Sequence, residues 1–277
     1  MNSRIVTKYG NKLITYALLL LGIYVMLVPF MWMITTAFKT LPESTRLPLQ
    51  WLPDSLYLGN FREIFLMDVG LFYRNTVLVT IGITVGQIIT ASLAGYAFAR
   101  LKFPFHNALF FIILSMLLIP PQMTLIPRFT MTVNLGIVNT LWGIIAPGVI
   151  SITMTFFMRQ VFLTFPNELE DAARIDGCTP FQTYWKIAMP LSTSMLVSMA
   201  VLVALFAWND LLWPLVVASP NRVRVLSVFI TAIPGEFSFR IPVMMAGGVI
   251  AVIPMIIIFI IGQKYFVTAI TTTGLKD

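Results

Sequence analysis

The chain has 277 residues, 58% of them hydrophobic and only 10% charged, against about 45–50% and about 25% in soluble globular domains. A composition this apolar excludes a water-soluble or disordered chain and predicts an all-α, polytopic membrane protein. The formal net charge of +7 is then read as residues that orient the chain across a bilayer, so no nucleic-acid partner is expected.

Apolar stretches long enough to cross a hydrocarbon core, about 20 residues of helix, run over 13–38, 76–99, 108–127, 135–158, 191–207 with a continuation over 211–217, and 241–262. They predict six transmembrane helices. The runs are continuous instead of alternating with period two, which favours helices over a barrel. Arg4, Lys8 and Lys12 precede the first span and place the N-terminus in the cytosol. That span is too long for the apolar core of a signal peptide and no Ala-x-Ala site follows it, so it is expected to be retained. The loop 40–71 is rich in breakers at Pro42, Pro48, Pro53 and Gly59. Its aromatics Trp51, Tyr57 and Phe61 are expected to form an interfacial belt or a docking surface.

In the second span, Gly82, Gly86 and Gly95 allow close helix contact. Arg100 and Lys102 mark a cytosolic turn, where His106 is expected to be solvated. The step Pro120-Pro121-Gln122 is expected to leave backbone carbonyls free near the external end of the third span. The external loop 219–240 offers an expected exposed tip at Pro234, Gly235 and Glu236 for an outside partner.

Between the fourth and fifth spans lies a charged island, 166–190, with its own helix punctuation. Asn167 with Glu170 three residues on is an expected cap, and Gly177 is placed to close that helix in the left-handed conformation. Thr179 with Gln182 repeats the capping-box spacing, and Pro180 stands at the first helical position. Phe181, Tyr184, Trp185 and Ala188 follow at helical spacing on one expected face. Ala172 and Ala173 with Leu169 form a small apolar stripe, and Glu170 and Arg174 are expected to pair at i,i+4.

The island resembles the EAA loop of the membrane subunits of binding-protein-dependent ABC importers. Ala172, Ala173, Asp176, Gly177 and Pro190 match that pattern, and Asp171 stands where the family usually has Glu. Ala207-Trp208-Asn209-Asp210 and Gly247-Gly248-Val249-Ile250 are similar to the carbohydrate branch, and in particular to the shorter permease of the maltose importer. The resemblance implies a MetI-like (type I) transmembrane domain over 72–265. It follows a region 1–71 of N-terminal tail, first helix and external loop, and precedes a cytosolic tail 266–277. It implies partners: a second permease, two ATP-binding subunits, an external substrate-binding protein and a sugar or oligosaccharide, in the bacterial inner membrane with both termini cytosolic. It also assigns ATPase coupling to Glu170, Asp171, Ala172, Ala173, Arg174, Asp176 and Gly177, with Pro190 and the fifth span as an expected rigid lever. The tail 271–277 resembles the family's C-terminal segment, which approaches the ATPases.

Other chemistry is disfavoured. Nothing reads Gly, four residues, Gly-Lys-Ser/Thr, so ATP hydrolysis is expected of another polypeptide. His106 and Cys178 are the only residues of their kinds, so neither a metal centre nor a disulfide is expected, and no cofactor is expected. Paired intramembrane carboxylates of the kind an ion-gradient carrier needs are missing. Trp208-Asn209-Asp210 interrupts the fifth span, where a carboxylate costs about 2.5–3.5 kcal/mol at a helix centre. With the family's use of this helix to line the path, Phe206, Trp208, Asn209, Asp210 and Thr153 become candidate path residues. The competing reading places Asp210 at the headgroups and makes Trp208 an interface anchor. Gln87, Thr84, Ser92 and Ser151 are weaker candidates. A polyol or glycerol phosphate is the nearest alternative substrate.

The orientation is testable on Cys178. In intact cells it is expected to react with a membrane-permeant thiol reagent and to resist an impermeant one; labelling by the impermeant reagent overturns the inside placement of the island.

Overall fold

A computed structural model describes residues 2–218, 223–237 and 240–274, with side chains over 12–218, 223–232 and 240–264. Among these residues the chain is helical in α1 (Asn2–Ala37), α2 (Leu41–Thr45), α3 (Gly59–Leu66), α4 (Val69–Arg100), α5 (His106–Ser115), α6 (Leu125–Asn134), α7 (Leu141–Ile145) and α8 (Ile152–Leu163). It continues through α9 (Asn167–Ile175), α10 (Pro180–Thr183), α11 (Met189–Leu191), α12 (Thr193–Asn209), α13 (Leu212–Val217), α14 (Leu226–Phe237) and α15 (Ile241–Gly274). Three stretches, Lys12–Ala37, Val69–Arg100 and Ile241–Lys264, are each long and apolar enough to cross a bilayer. Three bent pairs bring the spans to six when each pair is one crossing. The bends are 99° between His106–Leu118 and Pro121–Asn134, 43° between Leu141–Gly148 and Ile152–Leu163, and 78° between Pro180–Leu191 and Thr193–Asn209.

These bends correct the straight spans read from hydropathy. The third turns at Pro120-Pro121, where proline removes a backbone donor, so it does not run on to Pro127 as one rod. The fourth begins at Leu141, because Gly136 and Asn139 take left-handed conformations with φ of 67° and 60° before it. The expected loop tip at 234–236 lies instead within α14, and those side chains fall outside the described residues. The tail 275–277 also falls outside them.

Two compact units are formed. One comprises 1–69 with 230–253, so part of the sixth span belongs with the N-terminal segment. Here two of the loop aromatics, Trp51 and Phe61, pack against the end of α1. Trp51 packs edge-on against Trp32 at 5.3 Å, and Phe61 packs on Phe38 at 5.0 Å. Asn60 donates to the carbonyls of Ala37 and Lys39, both at 2.8 Å, satisfying orphan groups at the helix terminus. Lys39 is buried with its ammonium 4.5 Å over the Trp32 ring, and it donates to the Gln50 carbonyl. Arg240 and Glu63 form an ion pair in the same unit.

The other unit, 70–229 with 254–277, carries the main core. From α4, Val79, Ile83, Ala91 and Tyr96 join Ile144, Ile145, Met158 and Phe162 in one buried cluster. Glycines make this approach possible. A methyl group on Gly82 would meet Ile145, one on Gly86 would sit 2.5 Å from Val149, and one on Gly95 would lie 2.7 Å from Met158 Cβ and 2.9 Å from the Arg159 backbone nitrogen.

At Gly95 the obstacle includes backbone, which no rotamer change relieves. Gly95→Ala is therefore expected to destabilise the protein by about 1–3 kcal/mol, read as a lower melting temperature in detergent. Gly70→Ala, in the same helix with open space around it, is expected to be neutral or mildly stabilising.

Candidate functional site: a clamped loop and a cavity at two helix breaks

The island folds as its local signals require. In α9, Gly177 closes the helix at φ +78°, with Gly177 N–H donating to the Arg174 carbonyl at 3.1 Å and Cys178 N–H to the Ala173 carbonyl at 2.9 Å. This is the two-bond terminus that a left-handed glycine permits. Thr179 and Gln182 exchange reciprocal cap bonds, with Pro180 first in the next helix. Two expectations fail. Pro166, not Asn167, precedes the first turn, and the Asn167 side chain accepts from Arg100 Nη1 at 2.7 Å. Glu170 pairs not with Arg174 but with Arg100, whose Nε lies 3.5 Å from Oε1. Long-range partners outcompete the weak local pair, which is worth only about 0.3–0.5 kcal/mol.

The sequence-assigned coupling residues therefore divide. Ala173 is buried and Glu170 is turned inward, whereas Asp171, Ala172, Arg174, Asp176 and Gly177 are exposed. Ile175, 86% exposed, and Leu169 extend the outward apolar surface, a contribution the composition of the segment did not single out for Ile175. The expected single face after Gly177 also splits. Residues 184–188 form a π-helical turn, which leaves Tyr184 and Ala188 buried but Phe181 and Trp185 exposed. With the 78° bend that follows Leu191, the lever through Pro190 is not a straight rod. Ser192 Oγ donates to the Ala188 carbonyl at 2.7 Å and Thr193 Oγ1 to the Pro190 carbonyl at 2.6 Å, satisfying groups at the bend.

A second feature is an open cavity of about 740 Å³ between the breaks in the fourth and fifth spans. Phe206, Asn209, Asp210 and Thr153 all line it, together with Gln87 and Arg128. Trp208 does not line it; it is buried and packs edge-on to Tyr73 at 5.5 Å. Asp210 lies where α12 ends. Its Oδ1 accepts from Trp213 N–H at 3.4 Å as α13 begins, and its carbonyl accepts from Ser227 Oγ at 2.7 Å. Asp210 also feels the positive charge of Arg128.

Arg128 is the cavity residue that sequence reasoning missed. Its Nη2 donates to the Pro147 carbonyl at 3.0 Å, and its guanidinium lies 4.7 Å over the Trp213 ring. Three more carbonyls in and beside this break are held by side chains. Gln87 Nε2 reaches Gly148 O at 2.7 Å, Thr90 Oγ1 reaches Val149 O at 2.6 Å, and Trp213 Nε1 reaches Gly143 O at 3.1 Å. The Pro147 in the middle of the segment, beside two polar residues on α4, was the available signal.

This arrangement, an integral helical unit with a self-capped polar loop and a cavity at broken spans, is that of a membrane permease domain. The chain belongs to the family described as binding-protein-dependent transport system inner membrane component, which it matches over residues 87–272. It is 34% identical to the arabinooligosaccharides transport system permease protein AraQ of Halalkalibacterium halodurans, over 91% of this chain and 92% of that one. It is 29% identical to the sn-glycerol-3-phosphate transport system permease protein UgpE of Rhizobium meliloti, over 95% and 97%. In fold it is similar to a solved chain of a bacterial ABC transporter involved in the import of the acidic polysaccharide alginate, with a TM-score of 0.84, 22% identity, and coverage of 94% and 98%. The chain is thus an integral membrane permease subunit of an ABC importer, a class that works with ATPase subunits, a substrate-binding protein and a second permease.

Proposed function

We propose that this subunit forms, with a second, different permease subunit as a heterodimer, the path for a sugar or oligosaccharide delivered by an external binding protein. ATP is hydrolysed by partner subunits, and both termini face the cytosol. The observation that carries this reading is the lining of the 740 Å³ cavity: the exposed ring of Phe206 stands with Asn209, Asp210, Thr153 and Gln87. An aromatic face suits the C–H surface of a sugar ring, and amide and carboxylate oxygens accept from its hydroxyls. The exposed side of α9, with Leu169, Ala172 and Ile175, has the shape and apolar character to seat in a groove of an ATPase subunit, flanked by Asp171, Arg174 and Asp176. Within the chain, 72–265 acts as the transport domain and 266–277 as the cytosolic tail.

A second substrate reading, glycerol phosphate, is favoured by one observation: Arg128 places a cation in the same cavity. The Asp210 carboxylate nearby offsets that charge, which supports the neutral sugar.

The test is uptake into proteoliposomes holding the complete transporter, with ATP enclosed and binding protein outside. A labelled arabinose oligosaccharide is expected to enter with ATP and not with an imposed proton gradient, and sn-glycerol 3-phosphate is expected to compete poorly. Asp210→Ala is expected to lower uptake roughly tenfold, the loss of one charged hydrogen bond, and Asp210→Asn to lower it less because one acceptor oxygen remains. Uptake driven by the proton gradient alone, or parental uptake by both variants, contradicts the reading.

A further inference from the structure

On the C-terminal half of α4, Ser92, Tyr96 and Arg100 recur every four residues, so they form one row about 12 Å long on one side of the helix. Each member contacts the island 166–190, and Tyr96 and Arg100 share Glu170. Ser92 Oγ and the Tyr184 hydroxyl are 2.8 Å apart, both buried, which ties the row to the π-helical turn after Gly177. The Tyr96 hydroxyl donates to Glu170 Oε1 at 3.3 Å, which ties it to α9 before Gly177. Arg100 uses all three guanidinium nitrogens. Nε donates to the Phe162 carbonyl at 2.9 Å and pairs with Glu170, Nη1 donates to Asn167 Oδ1, and Nη2 donates to the Phe165 carbonyl. The two arms of the island, on either side of its glycine joint, are thereby fixed to a single helix.

The same helix reaches the cavity. Gln87 and Thr90 on α4 hold the carbonyls of Gly148 and Val149 at the break in the fourth span, and Gln87 lines the cavity. From Val69 to Arg100 α4 is unbroken, whereas the route through Pro190 passes a π-helical turn and the 78° bend. A continuous helix transmits displacement better than a jointed one, because its backbone hydrogen-bond ladder is uninterrupted.

We propose that Ser92, Tyr96 and Arg100 are positioning residues that clamp the island, and that α4 carries movement of the island to the cavity-lining break of the fourth span. This rests on the reading of 166–190 as the ATPase-coupling loop. Arginine is required at position 100 because its planar fork meets several acceptors at once, which a lysine ammonium at the end of a flexible stem does not reproduce.

The test uses the complete transporter carrying Cys178→Ser and Thr153→Cys, with maleimide labelling at position 153 in the cavity measured with and without ATP. The added variants are Ser92→Ala with Tyr96→Phe, which leave the tyrosine ring packing intact, and separately Arg100→Gln and Arg100→Lys. In all three, ATPase subunits are expected to remain bound and ATP hydrolysis to stay within about twofold. The ATP-dependent change in labelling is expected to shrink roughly tenfold, the size of a typical coupling between sites. A full ATP-dependent change in the double variant overturns the clamp, and so does restoration by Arg100→Lys. If ATP leaves labelling unchanged in the parent and ATPase subunits bind equally well to Gly177→Val, the coupling-loop reading itself fails, and the proposal with it.

Discussion

The rest of the transport unit depends on how the broken fourth span satisfies its backbone. A bend inside a membrane helix frees carbonyl groups that hydrocarbon cannot solvate, each costing several kcal/mol. Here the carbonyls of Gly143, Pro147, Gly148 and Val149 are taken by Trp213, Arg128, Gln87 and Thr90 respectively, from three other helices. Such a break is stable only while those helices stay in place. The cavity follows directly, because a bent span leaves space that a straight one fills, and two of the donors, Gln87 and Arg128, also line it.

This makes α4 the organising element of the unit. Its glycines at 82, 86 and 95 allow close approach to the segments that contain Ile145, Val149 and Met158. Its polar residues then serve two neighbouring stretches of one helix, with Gln87 and Thr90 at the fourth-span break and Ser92, Tyr96 and Arg100 at the island. Apolar contact supplies most of the cohesion of a membrane bundle through close packing of small residues. Hydrogen bonds to freed carbonyls set which arrangement of that packing is chosen.

Much of this was legible in the sequence where the signal is local. Gly177, Thr179 with Gln182, and Pro180 specify the joint and caps of the island from neighbours a few residues away, and the structure has them. The apolar runs gave up to six crossings, and Phe206, Asn209, Asp210 and Thr153, which the family resemblance singled out, line one cavity. What was illegible is long-range. Glu170 reads as the partner of Arg174, four residues on, but bonds to Arg100, seventy positions earlier in the chain. Arg128 reads as a topology charge because its partners, Pro147 and Trp213, lie far along the chain. Trp208 reads as part of a polar triplet, yet a side chain adjacent to a polar one on a helix points about 100° away, and it packs on Tyr73. Bends were underread for a similar reason: proline marks where a helix is weak, and the packing around it decides how far it turns.

The capture of carbonyls at the fourth-span break is tested most directly by thermal unfolding of Gln87→Leu beside Thr84→Val. Both remove a polar group from the same helix at little change in volume. Gln87 holds the Gly148 carbonyl, whereas the buried Thr84 hydroxyl has no partner among the described residues. Gln87→Leu is expected to lose roughly 1–3 kcal/mol, the cost of leaving a buried group unsatisfied, with a clear fall in melting temperature, and Thr84→Val is expected to hold or raise it. Equal melting temperatures for Gln87→Leu and the parent would show that the break does not depend on these bonds.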